Sequence, residues 1–219
     1  ECPVKACGRY YPERVDDVAW ENDLTAFRAY GPALQETGER AFGYDIWTKY
    51  NTTEPVVEAR YEGELNPDMK AKIAELGKTD PKAAQELYRS VSYHVDHGNG
   101  LDCYKVGPTL GGGTTALMAG DTIVYPYCYA TQEILDNGPL RFTVKLVYNP
   151  LVVKGDSTII ETRIITLDAG SYCNKTVVSY TNLKETMPLA VGIVLHEPDG
   201  AIVADVANGY MTYVDPTDN

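Results

Sequence analysis

Alternation of apolar and polar side chains dominates the second half of the chain. Segments 140–148, 157–167, 172–181, 189–196, 201–206 and 210–214 carry β-branched and aromatic residues at strand period, with Gly, Asp, Asn and Pro between them. Asn137-Gly138 marks a turn before the first of these. Nearer the N-terminus, residues 24–30 read as a strand that stops at Gly31-Pro32. Phe27 favours an inward face of Thr25, Phe27 and Ala29, which leaves Arg28 toward a groove or solvent. Residues 42–49 form a further short aromatic segment around Trp47. In 123–129, Tyr125, Tyr127 and Tyr129 alternate onto one face if the strand is continuous.

The period changes only between residues 66 and 91. Pro67 suits a first helical turn, and Met69, Ile73 and Leu76 follow helical spacing up to Gly77. Asp80 is an N-cap for a second helix with Ala84, Leu87 and Tyr88 on one face. The pattern therefore predicts a mainly β, antiparallel sandwich with a small helical insertion, in a single domain without an interdomain linker.

Charge narrows the partners. Lys plus Arg is 19 against 31 Asp plus Glu, a net charge of −12, and no basic cluster offsets it. Such a surface repels phosphate backbones, so nucleic acid is a poor partner. No apolar run reaches the ~18 residues of a membrane span. No signal peptide is seen, and an abrupt start at Glu1 suggests a processed or trimmed N-terminus. Cys2 and Cys7 are close enough for a small loop, whereas Cys103, Cys128 and Cys173 fall in apparent strands as small apolar residues. Asn51-Thr52-Thr53 and Asn174-Lys175-Thr176 match a short glycosylation pattern of little weight.

Candidate chemistry is concentrated in residues 92–113. This stretch holds His94 and His97, two of the three histidines, with Asp96, Asp102, Tyr104, Lys105 and six glycines. Read as an extended segment, it sets His94 and Asp96 on one face, a histidine with an acid to control it. Gly98 and Gly100 then break the strand. The same residues permit a metal reading: His94, Asp96 and His97, with Asp102, could hold zinc or manganese. Against it, neighbouring strand positions 96 and 97 point opposite ways. His196-Glu197, ahead of Pro198-Asp199-Gly200, reads as a solvated hairpin tip.

A second dense stretch, 9–23, surrounds Trp20 with Asp16, Asp17, Glu21 and Asp23. Acids beside an aromatic can hold sugar hydroxyls while the ring stacks, and Tyr125, Tyr127 and Tyr129 offer further flat faces. Elimination across C4–C5 of a uronate needs a base, an acid for the leaving oxygen and a cation for the carboxylate. His94 or His97 could be the base and Tyr104 the acid. Arg14, Arg28 or Lys105 could clamp the carboxylate.

The motifs R-Y-Y-P-E-R-x-D-D-x-A-W-E-N-D-x-x-A-F-R-x-Y-G-P, Y-H-x-D-H-G-x-G-L-D-x-Y-K-V-G, N-G-P-L-R and I-T-L-D-A-G-S resemble an uncharacterised bacterial family found in polysaccharide-utilisation gene clusters. The resemblance covers nearly the whole chain. It implies a galactose-mutarotase-like supersandwich, oligosaccharide partners, a periplasmic or secreted location and lyase-like dehydration of uronic acids at oligosaccharide ends. A sugar epimerase or a non-catalytic carbohydrate-binding module are the alternatives. Members of that family are longer, which implies that an N-terminal sheet segment or the last strands lie outside this chain.

Overall fold

The computed structural model describes residues 2–197 and 200–215. Four antiparallel strands open the chain in sequential order: β1 (Ala6–Tyr11), β2 (Asp17–Asn22), β3 (Thr25–Ala29) and β4 (Asp45–Thr48). Facing them is a second antiparallel sheet built from β7 (Tyr129–Asn137), β8 (Arg141–Tyr148), β10 (Asp156–Asp168) and β11 (Lys175–Thr181), in the order β11-β10-β8-β7, with β9 (Leu151–Val153) paired to β10. A three-stranded sheet joins β5 (Gly112–Ala119), β6 (Thr122–Val124) and β12 (Leu189–Ile193). Strands β13 (Ile202–Asp205) and β14 (Tyr210–Tyr213) make a hairpin.

The main core lies between the first two sheets. Val18, Trp20, Phe27 and Ala29 meet Phe142, Val144, Leu146, Ile165 and Leu167, all buried. Trp20 and Phe142 stack nearly parallel with centroids 6.3 Å apart. Gly8 permits this approach, because a Cβ there would lie 2.7 Å from Trp20 Cβ and 2.8 Å from the Phe142 ring. The antiparallel strands and the packing of the first two sheets match the sequence pattern, including Phe27 on the inward face of β3, with a smaller sheet and a hairpin beside them.

The helices correct the sequence reading in part. Two of them, α3 (Pro67–Gly77) and α4 (Pro81–Arg89), form where expected. Asn66 and Asp80 accept from Met69 N and Ala83 N, both at 3.0 Å, as N-caps. Yet α1 (Pro32–Glu36) and α2 (Val57–Leu65) are also present, and α2 matters more to the core. Its Val57 and Tyr61 pack on Tyr11, Ala19, Ala26 and Trp47, which cover the outer face of the first sheet. Buried on both faces, β2 and β3 lack the alternation that marks a half-exposed strand, so β2 was hidden among its acids.

Three local expectations also change. Strand β6 ends at Val124 and β7 begins at Tyr129, so Pro126 interrupts the supposed tyrosine row. Cys173 is exposed in the loop before β11, and Cys103 and Cys128, though buried as small apolar residues, lie outside the strands. Cys2 and Cys7 are unlinked thiols.

Candidate functional site

The stretch 92–113 is laid along the free edge of the first sheet. Thr48 N donates to Leu101 O at 2.9 Å, Trp47 bridges to Asp102, and Gly112 N donates to Tyr44 O at 2.8 Å. Gly100 makes the close pass possible, since it has φ +95° and a Cβ there would meet Thr48 O at 2.1 Å. The segment before it is a series of turns, not a strand. Asp96 accordingly does not partner His94. Its Oδ1 accepts from Gly98 N at 2.7 Å and Gly100 N at 3.2 Å, fixing the glycine turn.

Asp102 takes the place that the strand reading gave to Asp96. His94 Nδ1 lies 3.6 Å from Asp102 Oδ2 and 3.4 Å from its carbonyl. Asp102 is in turn held by Arg28, whose Nη2 donates to its Oδ2 at 2.8 Å. The same nitrogen meets Asp45 Oδ2 and the Tyr30 hydroxyl, and Asp45 Oδ2 also accepts from Trp47 Nε1 at 3.1 Å. Cross-strand register explains the core of this network, because Arg28 on β3 pairs directly with Asp45 on β4. Asp17 lies behind, with Oδ2 3.9 Å from Arg28 Nε.

Burial governs this network. Asp45 is fully buried, and loss of water pushes its carboxyl up to about 7 against the pull of Arg28, with the Asp102 charge adding to the rise. Burial likewise pushes Asp17 up to about 6 despite Arg28 and Arg14. Arg28 keeps its proton: burial opposes the charge, but Asp45 and the neighbouring Tyr30, Tyr61 and Asp102 more than offset it. His94 stands at the exposed end of the chain of contacts, with 41% of its side chain open to solvent.

A cleft of about 490 Å³ opens over this end. Arg28, His94, Asp102, Tyr104 and Lys105 from the sequence reading line it together. The loop after α1 adds Glu39 and Arg40, and the end of β3 adds Tyr30. Tyr104 donates to Gly111 O at 3.0 Å, and burial raises its hydroxyl well above the ordinary range, with Asp215 adding to the effect. His196 is not a solvated turn residue. Its Nε2 contacts Lys105 O at 2.6 Å, its Nδ1 pairs with Asp215 at 2.5 Å, and its ring meets Tyr104 edge-on at 5.2 Å. Pro198 and Asp199 of that tip lie outside the described residues.

Other expected site residues go elsewhere. His97 is exposed, makes a 3.0 Å contact with Ser92 O and does not line the cleft. With Asp96 engaged by the turn, the set His94, Asp96 and His97 does not converge, and among the described residues no group of three His, Cys, Asp or Glu side chains is arranged to ligate a metal. Trp20 is fully buried, and its Nε1 donates to Asn174 Oδ1 at 2.8 Å, so no sugar can stack on it. Glu21 is also buried and accepts from Val56 N, Val57 N and Lys49 Nζ, capping α2. Arg14 turns to the Tyr93 hydroxyl at 3.1 Å and to Asp17.

The three tyrosines separate. Tyr129 is buried with its hydroxyl on Asp16 O, Tyr125 stacks on Phe42 at 5.1 Å, and Tyr127 donates to Gln35 O at 2.8 Å. Tyr127 nevertheless reaches the cleft margin through Arg40, whose guanidinium lies 5.0 Å from its ring. Neither Glu39 nor Arg40 carried a local signal in the sequence; only the loop's return to the sheet edge brings them in.

Residues 3–219 of this mainly β, antiparallel chain match a family described as a domain of unknown function, DUF4861. The chain belongs to that family. It is 29% identical over 217 residues to a protein of Formosa agariphila named "Uncharacterized protein P7", covering 96% of this chain and 48% of the relative. The chain thus spans about half the length of that relative. No solved structure matches it. None of the described helices is long and apolar enough to cross a membrane.

Proposed function

We propose that the His94 cleft is a carbohydrate site in which a uronate-containing oligosaccharide undergoes lyase-like elimination. The observation that supports it is the pairing of a solvent-facing His94 with Asp102, in one cleft with Tyr104, Lys105 and Arg40. In this reading His94 removes the proton on C5, and Asp102, 3.6 Å away, orients the imidazole. The released electron pair forms the C4–C5 double bond as the C4–O bond breaks. Tyr104, which retains its proton near neutrality, donates it to the leaving oxygen.

Negative charge accumulates on the substrate carboxylate as C5 loses its proton. Lys105 and Arg40 have no carboxylate partner among the described residues, so they are the cations available to receive it. Arg28 is committed to Asp45, Asp102 and Tyr30, and its part is to hold Asp102 rather than to clamp substrate. A mutarotase-like supersandwich and a periplasmic or secreted location belong to the same proposal.

The test is incubation with a panel of uronate oligosaccharides while following ultraviolet absorbance, which rises when an unsaturated uronate forms. His94→Ala should lower that rate at least ~100-fold, the usual scale of a lost general base. Its thermal midpoint should change little, because the side chain is substantially exposed. Full activity in the variant would overturn the assignment. A change in optical rotation without absorbance would replace elimination with epimerisation.

A further inference from the structure

His94 forms part of the wall of two clefts. A second cleft of about 660 Å³ shares His94 with the first, and is lined by Gln85, Tyr88 and Arg89 from α4 with Ser92, His94 and Asp96 among the residues that follow. Positions 85, 88 and 89 are three and four apart, so they stand side by side on one face of the helix. Gln85 and Arg89 are exposed and Tyr88 is half-buried; Ala84 is the one buried residue of α4 among those described, and α3 has none. The helical hairpin therefore adds little to the core, yet it builds one side of a groove that ends on the candidate base.

Charge gives this second cleft a chemical preference. Arg89 makes no side-chain ion pair or hydrogen bond among the described residues, in a chain whose net charge is −12. Asp96 is the carboxylate of the lining, and its Oδ1 is occupied by the backbone of the glycine turn. Tyr88, half-buried, offers a ring face and a hydroxyl, and Gln85 offers an amide at the rim. An unpaired guanidinium beside a tyrosine and an amide suits a sugar that carries an anionic oxygen group.

We propose that Gln85, Tyr88 and Arg89 form a second sugar subsite, which receives an acidic sugar adjacent to the one at His94. The inference rests on the carbohydrate reading of the His94 cleft and extends it: the ligand is an oligosaccharide bridging both clefts, with a carboxylate or sulfate ester facing Arg89.

Calorimetry on the intact chain tests this with oligogalacturonates of one, two and four sugars, and with chondroitin disaccharides with and without a sulfate ester. Affinity should rise from the single sugar to the longer ones, and Arg89→Ala should reduce that gain about tenfold, the scale of one charge-assisted contact. A larger gain on the sulfated disaccharide identifies a sulfate ester, and an equal gain identifies the carboxylate. Circular dichroism and thermal midpoint of the variant serve as the folding control. If single sugars bind and added length brings no gain, or if Arg89→Ala keeps the whole gain, the second subsite is wrong while the His94 cleft stands. If no saccharide of any length binds, both readings fall.

Discussion

Asp45 is the residue on which the buried network turns. Its folded carboxyl is raised to about 7, above the ordinary aspartate value, so between about pH 4 and 7 the folded state binds a proton that the unfolded state has released. Stability from this group is therefore fully present below about pH 4 and is lost as pH rises through about 7. Asp45→Asn removes the titration. The stability of the parent relative to Asp45→Asn, from urea denaturation at several pH values, should fall across that window by a few kcal/mol. A constant difference from pH 4 to 8 would show that Asp45 ionises normally. At this scale the sequence singled out side chains that the fold brings into one cleft, but not their pairings. His94, Asp102, Tyr104, Lys105 and Arg28 share one cleft as read, but the acid beside His94 is Asp102, eight positions on, not Asp96. Spacing could not reveal this, because the choice depends on a glycine turn pressed against β4.

Glu21 shows how an element can depend on one buried charge. Its carboxylate accepts from Val56 N and Val57 N at the start of α2 and binds Lys49 Nζ at 2.7 Å, with both side chains almost wholly inaccessible. The helix dipole and the lysine both favour a negative charge there. Glu21→Gln should cost about 3 kcal/mol, since it leaves Lys49 buried without its counter-charge. Chemical denaturation measures this, and a loss below about 1 kcal/mol would mean that the cap and ion pair are replaceable. The same element explains the largest gap in the sequence reading. Strands β8 and β10 to β14 alternate or run as β-branched stretches and were readable, whereas β7 and β9 were not marked, and α3 and α4 announced themselves through Asn66, Pro67, Asp80 and Pro81. By contrast α2 lacks a capping side chain of its own, because its cap comes from Glu21, 36 positions before Val57. A local window contains no trace of that.

The whole molecule is held by contact between its first two sheets, through Trp20 and Phe142 above all. Phe142→Ala should destabilise by ~4 kcal/mol, the usual cost of emptying a large aromatic site in a packed core. If the sheets form one cooperative unit, fluorescence of the buried tryptophans and far-ultraviolet circular dichroism should keep coincident unfolding midpoints, both lowered. Separation of the two curves would show that the sheets unfold independently. Sequence by itself determined the strand-rich class, the inward face of Phe27, the two capped helices and the concentration of titratable groups in residues 92–113. Each of these follows from period, capping chemistry or composition, which act over a few residues. Tertiary structure alone decided that Trp20 and Glu21 are interior, that Tyr125, Tyr127 and Tyr129 part company at Pro126, and that Glu39 and Arg40 join His94. Those outcomes depend on which faces are covered and which distant segments meet. A doubly covered sheet erases the alternation that would have reported it, and a cleft assembled from β3, the loop after α1 and residues 92–113 cannot be read whole from any one of them.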